Sequence, residues 1–376
     1  MEGQPAVGPS PGGTEQVLSP YLVHPDELTQ LVGGGEPAFR GRQLREWLYR
    51  NPVLHTRDMT NLPIGLRRAL AERLWPFEVE QHQVADRRAT YKWLFRMPDG
   101  AAIEAVAMGY GSRTTLCVSS QAGCALACTF CATGQFGFER HLQAGEILAQ
   151  LAYTNAFLRS QPLRNAPPKV TNVVFMGLGE PLANYPRLRE AIRLIVEEVG
   201  MSARSLTVST VGVVPGIRRL ADDPWPVKLA VSLHASDDDL RSRLVPLNRR
   251  YPLAEVENAA AYFFRKKRRR ISLEWTMIRD VNDDLSQAEG LAAIARRLRA
   301  HVNLIALNPT PLSADRPSTS EVIRRFAATL RSRGVNVTVR DTRGTQIDAA
   351  CGQLRVEGSS GKGEGPARRR VLKLTR

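Results

Sequence analysis

Three cysteines stand within eight residues, in the run Cys124-Ala-Leu-Ala-Cys128-Thr-Phe-Cys131. A CxxxCxxC pattern on one compact loop offers three soft thiolate ligands, a set suited to an iron–sulfur cluster or to zinc. A structural zinc wants a fourth ligand, and the nearest candidate, His141, lies ten residues on at no standard spacing. A [4Fe–4S] cluster held by three cysteines leaves one iron open, and an open iron binds a substrate and passes it an electron. A second element, Gly177-Leu178-Gly179-Glu180-Pro181, couples glycines that permit close backbone approach to an acidic acceptor. The remaining cysteines, Cys117 and Cys351, lie far apart in the chain. Taken alone, Cys117 reads as a small buried hydrophobe on a strand, whereas Cys351, in Ala-Ala-Cys351-Gly-Gln, sits in a loop where a bare thiol has no evident packing role. Glu104 is a carboxylate in an otherwise apolar segment, Ala101-Ala-Ile-Glu104-Ala-Val, where desolvation would favour its neutral form.

The elements that must position these groups alternate. Strands are expected over 114–118, 170–176, 206–209, 227–233, 271–277 and 302–307, and helices over 145–158, 186–199, 237–244, 253–265, 286–299 and 318–334. Strands separated by helices imply a parallel α/β sheet with right-handed crossovers. Six such units fit an open doubly wound sheet or an incomplete (β/α)6 barrel. In a barrel, functional residues gather at the C-terminal ends of the strands, and the polar residues Gly179-Glu180, Ser209, Ser232, His234 and Asn308 fall there. Upstream, residues 26–74 read as helical, with Asp26 as a cap and with Arg40, Arg42, Arg45, Arg50, Arg57, Arg67 and Arg68 suited to RNA backbone contacts or to a solvated surface. Segments 91–97 and 101–108 around Pro98-Asp99-Gly100 read as a hairpin.

Composition bounds the partners. The chain has 376 residues with 43% hydrophobic and 24% charged, which excludes a wholly disordered protein and fits one large domain with an accessory one. Fifty-two Lys+Arg against 37 Asp+Glu leave a formal charge of +15, so a polyanion, nucleic acid first, is the expected partner. The run Arg265-Lys-Lys-Arg-Arg-Arg270 would meet phosphates or complement a helix end. No segment reaches the roughly 18–20 apolar residues of a membrane span, and the first twenty residues have no signal-peptide pattern, so a cytoplasmic protein without a disulfide framework is expected. Those twenty residues contain four Gly and four Pro and read as a disordered leader. The expected organisation is leader 1–20, helical RNA-contacting domain 21–90, connecting hairpin 91–110, barrel 111–345, cysteine loop 346–357 and a basic flexible tail 358–376.

With Phe130 directly before the third cysteine and a GGEP-like turn at 177–181, the chain resembles the radical S-adenosylmethionine superfamily. Cys117 in Leu116-Cys117-Val-Ser-Ser-Gln, the motif Ser232-Leu233-His234-Ala, Asn308-Pro309, and Cys351 in Ile347-Asp-Ala-Ala-Cys351-Gly-Gln-Leu354 narrow this. Together they are similar to the RlmN/Cfr family of radical RNA adenine methyltransferases, over about residues 26–354. The resemblance implies one [4Fe–4S] cluster on Cys124, Cys128 and Cys131, and two S-adenosylmethionine per turnover, held by Gly179, Glu180, Ser209, Ser232, Leu233, His234 and Asn308. It implies methylation of C2 of adenine 2503 in 23S rRNA and of adenine 37 in some tRNAs. Flavodoxin or ferredoxin would donate electrons, and the protein would act as a monomer with no membrane partner.

In the mechanism so implied, Cys351 first takes a methyl group as a thioether. A second S-adenosylmethionine is cleaved reductively to a 5′-deoxyadenosyl radical, which abstracts hydrogen from that methyl. The carbon radical adds to C2, Glu104 removes the C2 proton, and Cys117 attacks Cys351, releasing methylated RNA and leaving a transient disulfide. The target adenine must be unpaired or flipped out to reach a deep cluster. Two departures from the family pattern stand out: Leu178 replaces a common Met, and Thr345-Gln346 replaces a more usual acidic residue close to Cys351. Two rivals remain at this level, a Cfr-type enzyme acting on C8 and a non-catalytic zinc-stabilised RNA-binding protein.

Overall fold

A computed structural model describes residues 18–32, 37–310, 312–340, 344–350 and 352–354. Cys351, the tail from 358 and the leader up to residue 17 lie outside the described residues. The N-terminal part is helical, with α1 (Leu28–Leu31), α2 (Phe39–Arg45), which runs on into a π turn, and α3 (Ile64–Ala71). Leu44, Leu48, Leu66 and Leu70 form its buried stripe. Four of the arginines serve inside the fold rather than facing solvent alone. Arg45 donates two bonds to the Glu198 carboxylate, Arg50 bonds the carbonyls of Glu197 and Val199, Arg40 bonds the Asn61 carbonyl, and Arg67 bonds that of Arg57. Arg42 and Arg68 stay exposed.

Next come four antiparallel strands, β1 (Glu78–Ala85), β2 (Thr90–Arg96), β3 (Ala102–Tyr110) and β4 (Arg113–Cys117). The expected hairpin is therefore part of a larger group. The additional strand β1 is an edge strand exposed along nearly its whole length, so it carries no buried alternation to read. A small pair, β5 (Gln121–Gly123) and β6 (Phe138–His141), brackets α4 (Ala132–Phe136). The remaining elements are α5 (Ala144–Ser160), β7 (Asn172–Phe175), α6 (Tyr185–Glu197), β8 (Leu206–Thr210), α7 (Val214–Asp222), β9 (Lys228–Ser232), α8 (Asp238–Leu244), α9 (Leu253–Lys267), β10 (Ser272–Met277), α10 (Leu285–Leu298), β11 (His301–Ala306), α11 (Ser320–Ser332) and β12 (Asn336–Val339).

One sheet of ten strands runs β1-β2-β3-β4-β7-β8-β9-β10-β11-β12, and every neighbour from β4 onward pairs in parallel. All six expected barrel strands lie within about two residues of their expected bounds, because buried β-branched and apolar residues mark them. Among the parallel strands and the helices that connect them, two elements were not expected. β12 adds a seventh parallel strand, short and mostly exposed, and α7 begins with Pro215 in its first turn and contains Gly216, residues that read as a loop. β1 and β12 are the unclosed edges of the sheet, as an incomplete barrel requires. The basic run closes α9: Lys266 pairs with Asp222 and the Lys267 ammonium bonds the Asp223 carbonyl, fastening the end of α9 to that of α7. Among the described residues no helix is long and apolar enough to cross a membrane.

Candidate active site

The cysteine loop hangs between β5 and α4 and is tied at both ends. The Cys124 N–H donates to the Gly137 carbonyl at 2.6 Å, and the Thr129 N–H reaches the Leu244 carbonyl at the end of α8. Cys128 and Phe130 are buried against Ala235, Leu240, Leu244, Val245, Ile278 and Leu307, so the middle of the loop is an apolar plug. Cys124, Cys128 and Cys131 line one cavity together with Gly179, Glu180, Ser209, Ser232, His234 and Asn308. Residues spread over 185 positions of sequence thus share one wall, because β7, β8, β9 and β11 all end there.

Burial pushes the Cys124 thiol up to about 12, with Cys131 adding to the shift, and pushes Cys128 up as well, helped by both other cysteines. Burial thus favours the neutral thiol at Cys124 and Cys128 unless a cationic group binds there. That donor set, soft, buried and gathered on one loop, fits an iron–sulfur cluster. Among the described residues no three His, Cys, Asp or Glu side chains converge as ligands of a single ion, and no disulfide joins the described cysteines.

Gly179 has φ +96°, and a Cβ there would lie 2.4 Å from the Gln121 side chain, so the turn after β7 needs glycine at that point. Gln121 in turn accepts the Glu180 N–H at 2.7 Å. The Glu180 carboxylate accepts the backbone N–H groups of Leu182 and Val211, each at 3.0 Å, yet burial raises it to about 7. A buried carboxylate without a cation is poised for a cationic ligand.

His234 closes the far side. It sits at φ +61°, its ring 4.4 Å from that of Phe130, and burial lowers it to about 3, so it is neutral. Its Nδ1 accepts the Thr276 N–H at 3.0 Å, which leaves the ring hydrogen on Nε2 as a donor. Asn282 supports this conformation by donating to the carbonyls of His234 and Thr276, both at 2.8 Å. Arg241, about 1% exposed, gathers the carbonyls of Val211, Ser232 and Leu233 and so fixes the ends of β8 and β9. Asn282, Arg241 and Glu274, which also lines the cavity, were missed in the sequence. Leu233 differs from its companions, since its side chain is buried in the main core and does not line the cavity.

Cys117 and Glu104 belong to a second locus. Cys117 ends β4 and packs with Val106, Met108, Leu178, Ala349 and Leu354, so its neighbours include residues on both sides of position 351 in sequence. Glu104 on β3 is buried but is not an isolated carboxylate: Lys92 on β2 lies 2.6 Å away. The same ammonium donates to the carbonyls of Ile347 and Asp348, at 3.2 and 3.1 Å. Thr133 and Ala132 hold the other end of this loop by bonding the carbonyls of Leu354 and Gly352. Ser119 links the two loci, donating to the Glu104 carbonyl and accepting the Leu178 N–H.

Comparison with known proteins matches residues 118–289 to the radical SAM superfamily and residues 25–75 to the ribosomal RNA large subunit methyltransferase N-terminal domain. The probable dual-specificity RNA methyltransferase RlmN of Salinispora tropica is 48% identical over 326 residues, 85% of this chain and 88% of the relative. The chain belongs to the RlmN family. The similarly described RlmN of Chloroflexus aurantiacus is 47% identical, covering 89% of this chain and 92% of the relative. The crystal structure of a radical SAM methyltransferase from Sphaerobacter thermophilus superposes with a TM-score of 0.84 at 46% identity, covering 90% of this chain and 99% of that one. As an RlmN-family member the protein is an S-adenosylmethionine-dependent radical methyltransferase, and the family implies a [4Fe–4S] cluster.

Proposed function

We propose that the protein methylates C2 of an adenine in RNA, adenine 2503 of 23S rRNA and adenine 37 of some tRNAs, through a covalent protein–RNA intermediate. The observation that carries this reading is the meeting of two loci: a cavity lined by three cysteines and Glu180, and beside it a buried thiol and carboxylate under the loop that bears Cys351. Cys124, Cys128 and Cys131 hold the cluster, and the polar strand ends hold S-adenosylmethionine, consumed twice per turnover. When bound, these groups supply one-electron cleavage of a carbon–sulfur bond and hence a hydrogen-abstracting radical. A flavodoxin or ferredoxin supplies the electron, and the protein works as a cytoplasmic monomer.

The chain's own residues do the rest. C2 of adenine is electron-poor and cannot attack a methyl cation equivalent, so Cys351 carries the methyl as a thioether and becomes joined through that carbon to C2. Glu104 takes the C2 proton, with Lys92 balancing its charge and holding it under the loop. Once the adduct has given up one electron and that proton, the Cys117 thiolate attacks the Cys351 sulfur, the sulfur–carbon bond breaks with its electron pair on carbon, which takes a proton to become the methyl group, and a disulfide remains for a dithiol to reduce. The net positive charge of +15 attracts the RNA backbone, and the exposed Arg42 and Arg68 are suited to phosphate contact. Mass mapping of RNA methylated by the anaerobically reconstituted protein tests the reading. A methyl on C2 is expected; a methyl on C8 would assign the Cfr-type reaction, and a colourless zinc protein that transfers no methyl would contradict the chemistry.

A further inference from the structure

On β10, Ser272, Glu274 and Thr276 alternate with Leu273, Trp275 and Met277, and the latter three enter the main core. Glu274 therefore faces the interior of the sheet, where it lines the cysteine cavity at 5% exposure. One carboxylate oxygen is fixed: Oε1 accepts the Ser272 hydroxyl at 2.7 Å and the Asn303 amide at 3.0 Å. The other, Oε2, is buried with no hydrogen-bond partner among the described residues. A desolvated carboxylate oxygen without a donor is unfavourable, and the fold keeps it in a cavity open to a ligand. In register it pairs with Ser232 on β9 and Asn303 on β11, and two residues on, the Thr276 N–H fixes His234.

We propose that Glu274 Oε2 accepts a ribose hydroxyl of bound S-adenosylmethionine and so selects a ribonucleoside over its deoxy counterparts. This rests on the reading of the cavity as the S-adenosylmethionine site. The amino end of that ligand suits Glu180 on the cysteine side, where a carboxylate stands without a cation. The nucleoside half then meets the wall of β8 to β11, which presents the neutral His234 as a donor to a ring nitrogen and Glu274 as an acceptor for a hydroxyl. Fixing Oε1 through two neighbours leaves a single oxygen without a donor on a side chain that lines the cavity, and one acceptor matches one hydroxyl.

The test is anaerobic calorimetry on the reconstituted holoenzyme and its Glu274→Gln variant. The probes are S-adenosylmethionine, 5′-methylthioadenosine, and the 2′-deoxy and 3′-deoxy forms of the latter. Loss of a charge-assisted hydrogen bond weakens binding by about tenfold or more. That loss is expected for both ribonucleosides, while one deoxy compound binds wild type and E274Q alike. Equal losses across all four probes, as a purely structural role or a contact to the adenine amino group would give, overturn the proposal; so does no loss at all. If E274Q melts early, Glu274→Asp carries the same comparison, since it keeps the charge and withdraws the oxygen by one methylene. A wild-type holoenzyme that binds no S-adenosylmethionine would remove the site reading itself, whereas binding without an E274Q effect removes only this inference.

Discussion

Two buried carboxylates, Glu180 and Glu104, stand at the two loci of the site and are treated in opposite ways. Glu180 is held by backbone N–H groups from two segments and has no cation among the described residues, so burial lifts it to about 7 and it waits for a positively charged ligand. Glu104 already has its cation, Lys92, which also carries the carbonyls of the Cys351-bearing loop. The first locus is a rigid receptacle built on strand ends locked by Arg241 and Asn282. The second is held by a few bonds to a loop, and it is where the proposed thioether, adduct and disulfide would succeed one another. The difference separates binding from turnover, and each locus should fail in its own way.

The largest effect is expected at the receptacle. Cys128→Ala removes one of the three proposed cluster ligands from the apolar plug, and iron content, colour and S-adenosylmethionine cleavage should all be lost; a variant that kept its iron would break the assignment of the loop. Next is Lys92→Met. Removing one partner of a buried pair destabilises by about 3–5 kcal/mol, read in a urea melt, and slows proton removal from the adduct while leaving the cluster spectrum unchanged. A Lys92→Met, Glu104→Gln double variant should recover much of that stability but none of the turnover.

The smallest effect concerns pH. Glu180 is raised from 4.5 to about 7 in the fold, so its contribution to stability is present below about 4.5 and is lost as pH rises toward 7. A ligand ammonium reverses the sign, so affinity for S-adenosylmethionine should increase as pH rises through 7. Glu180→Gln should flatten both profiles. A pH-independent wild type would erase the contrast between the two carboxylates.

What was legible in the sequence follows the same division. The cysteine spacing and the six barrel strands were readable because thiol spacing and runs of buried apolar residues are local signals. The edge strand β1, exposed along most of its length, and α7, with Pro215 and Gly216 near its start, lacked such signals. The residues that lock the receptacle act through backbone carbonyls distant in sequence. Arg241 reaches back 30 positions to Val211, and Asn282 reaches back 48 positions to His234, so only the folded sheet reveals them. Glu104 was readable as an unusual carboxylate, but its partner Lys92 lies on the neighbouring strand, so only the pairing of β2 with β3 brings the two together. Leu233 marks the limit of motif reading, since it sits between two cavity residues while its own side chain points into the core.

The central claim, that the thiol of Cys117 resolves a covalent intermediate at the second locus while the first locus only binds and activates, is tested most directly by Cys117→Ala. The reconstituted variant, given RNA, S-adenosylmethionine and a reductant, should keep its cluster and accumulate a protein–RNA adduct through Cys351, visible as a shifted band on a denaturing gel and mapped by mass spectrometry. Release of free methylated RNA at the wild-type rate from this variant, with its cluster intact, would contradict the account.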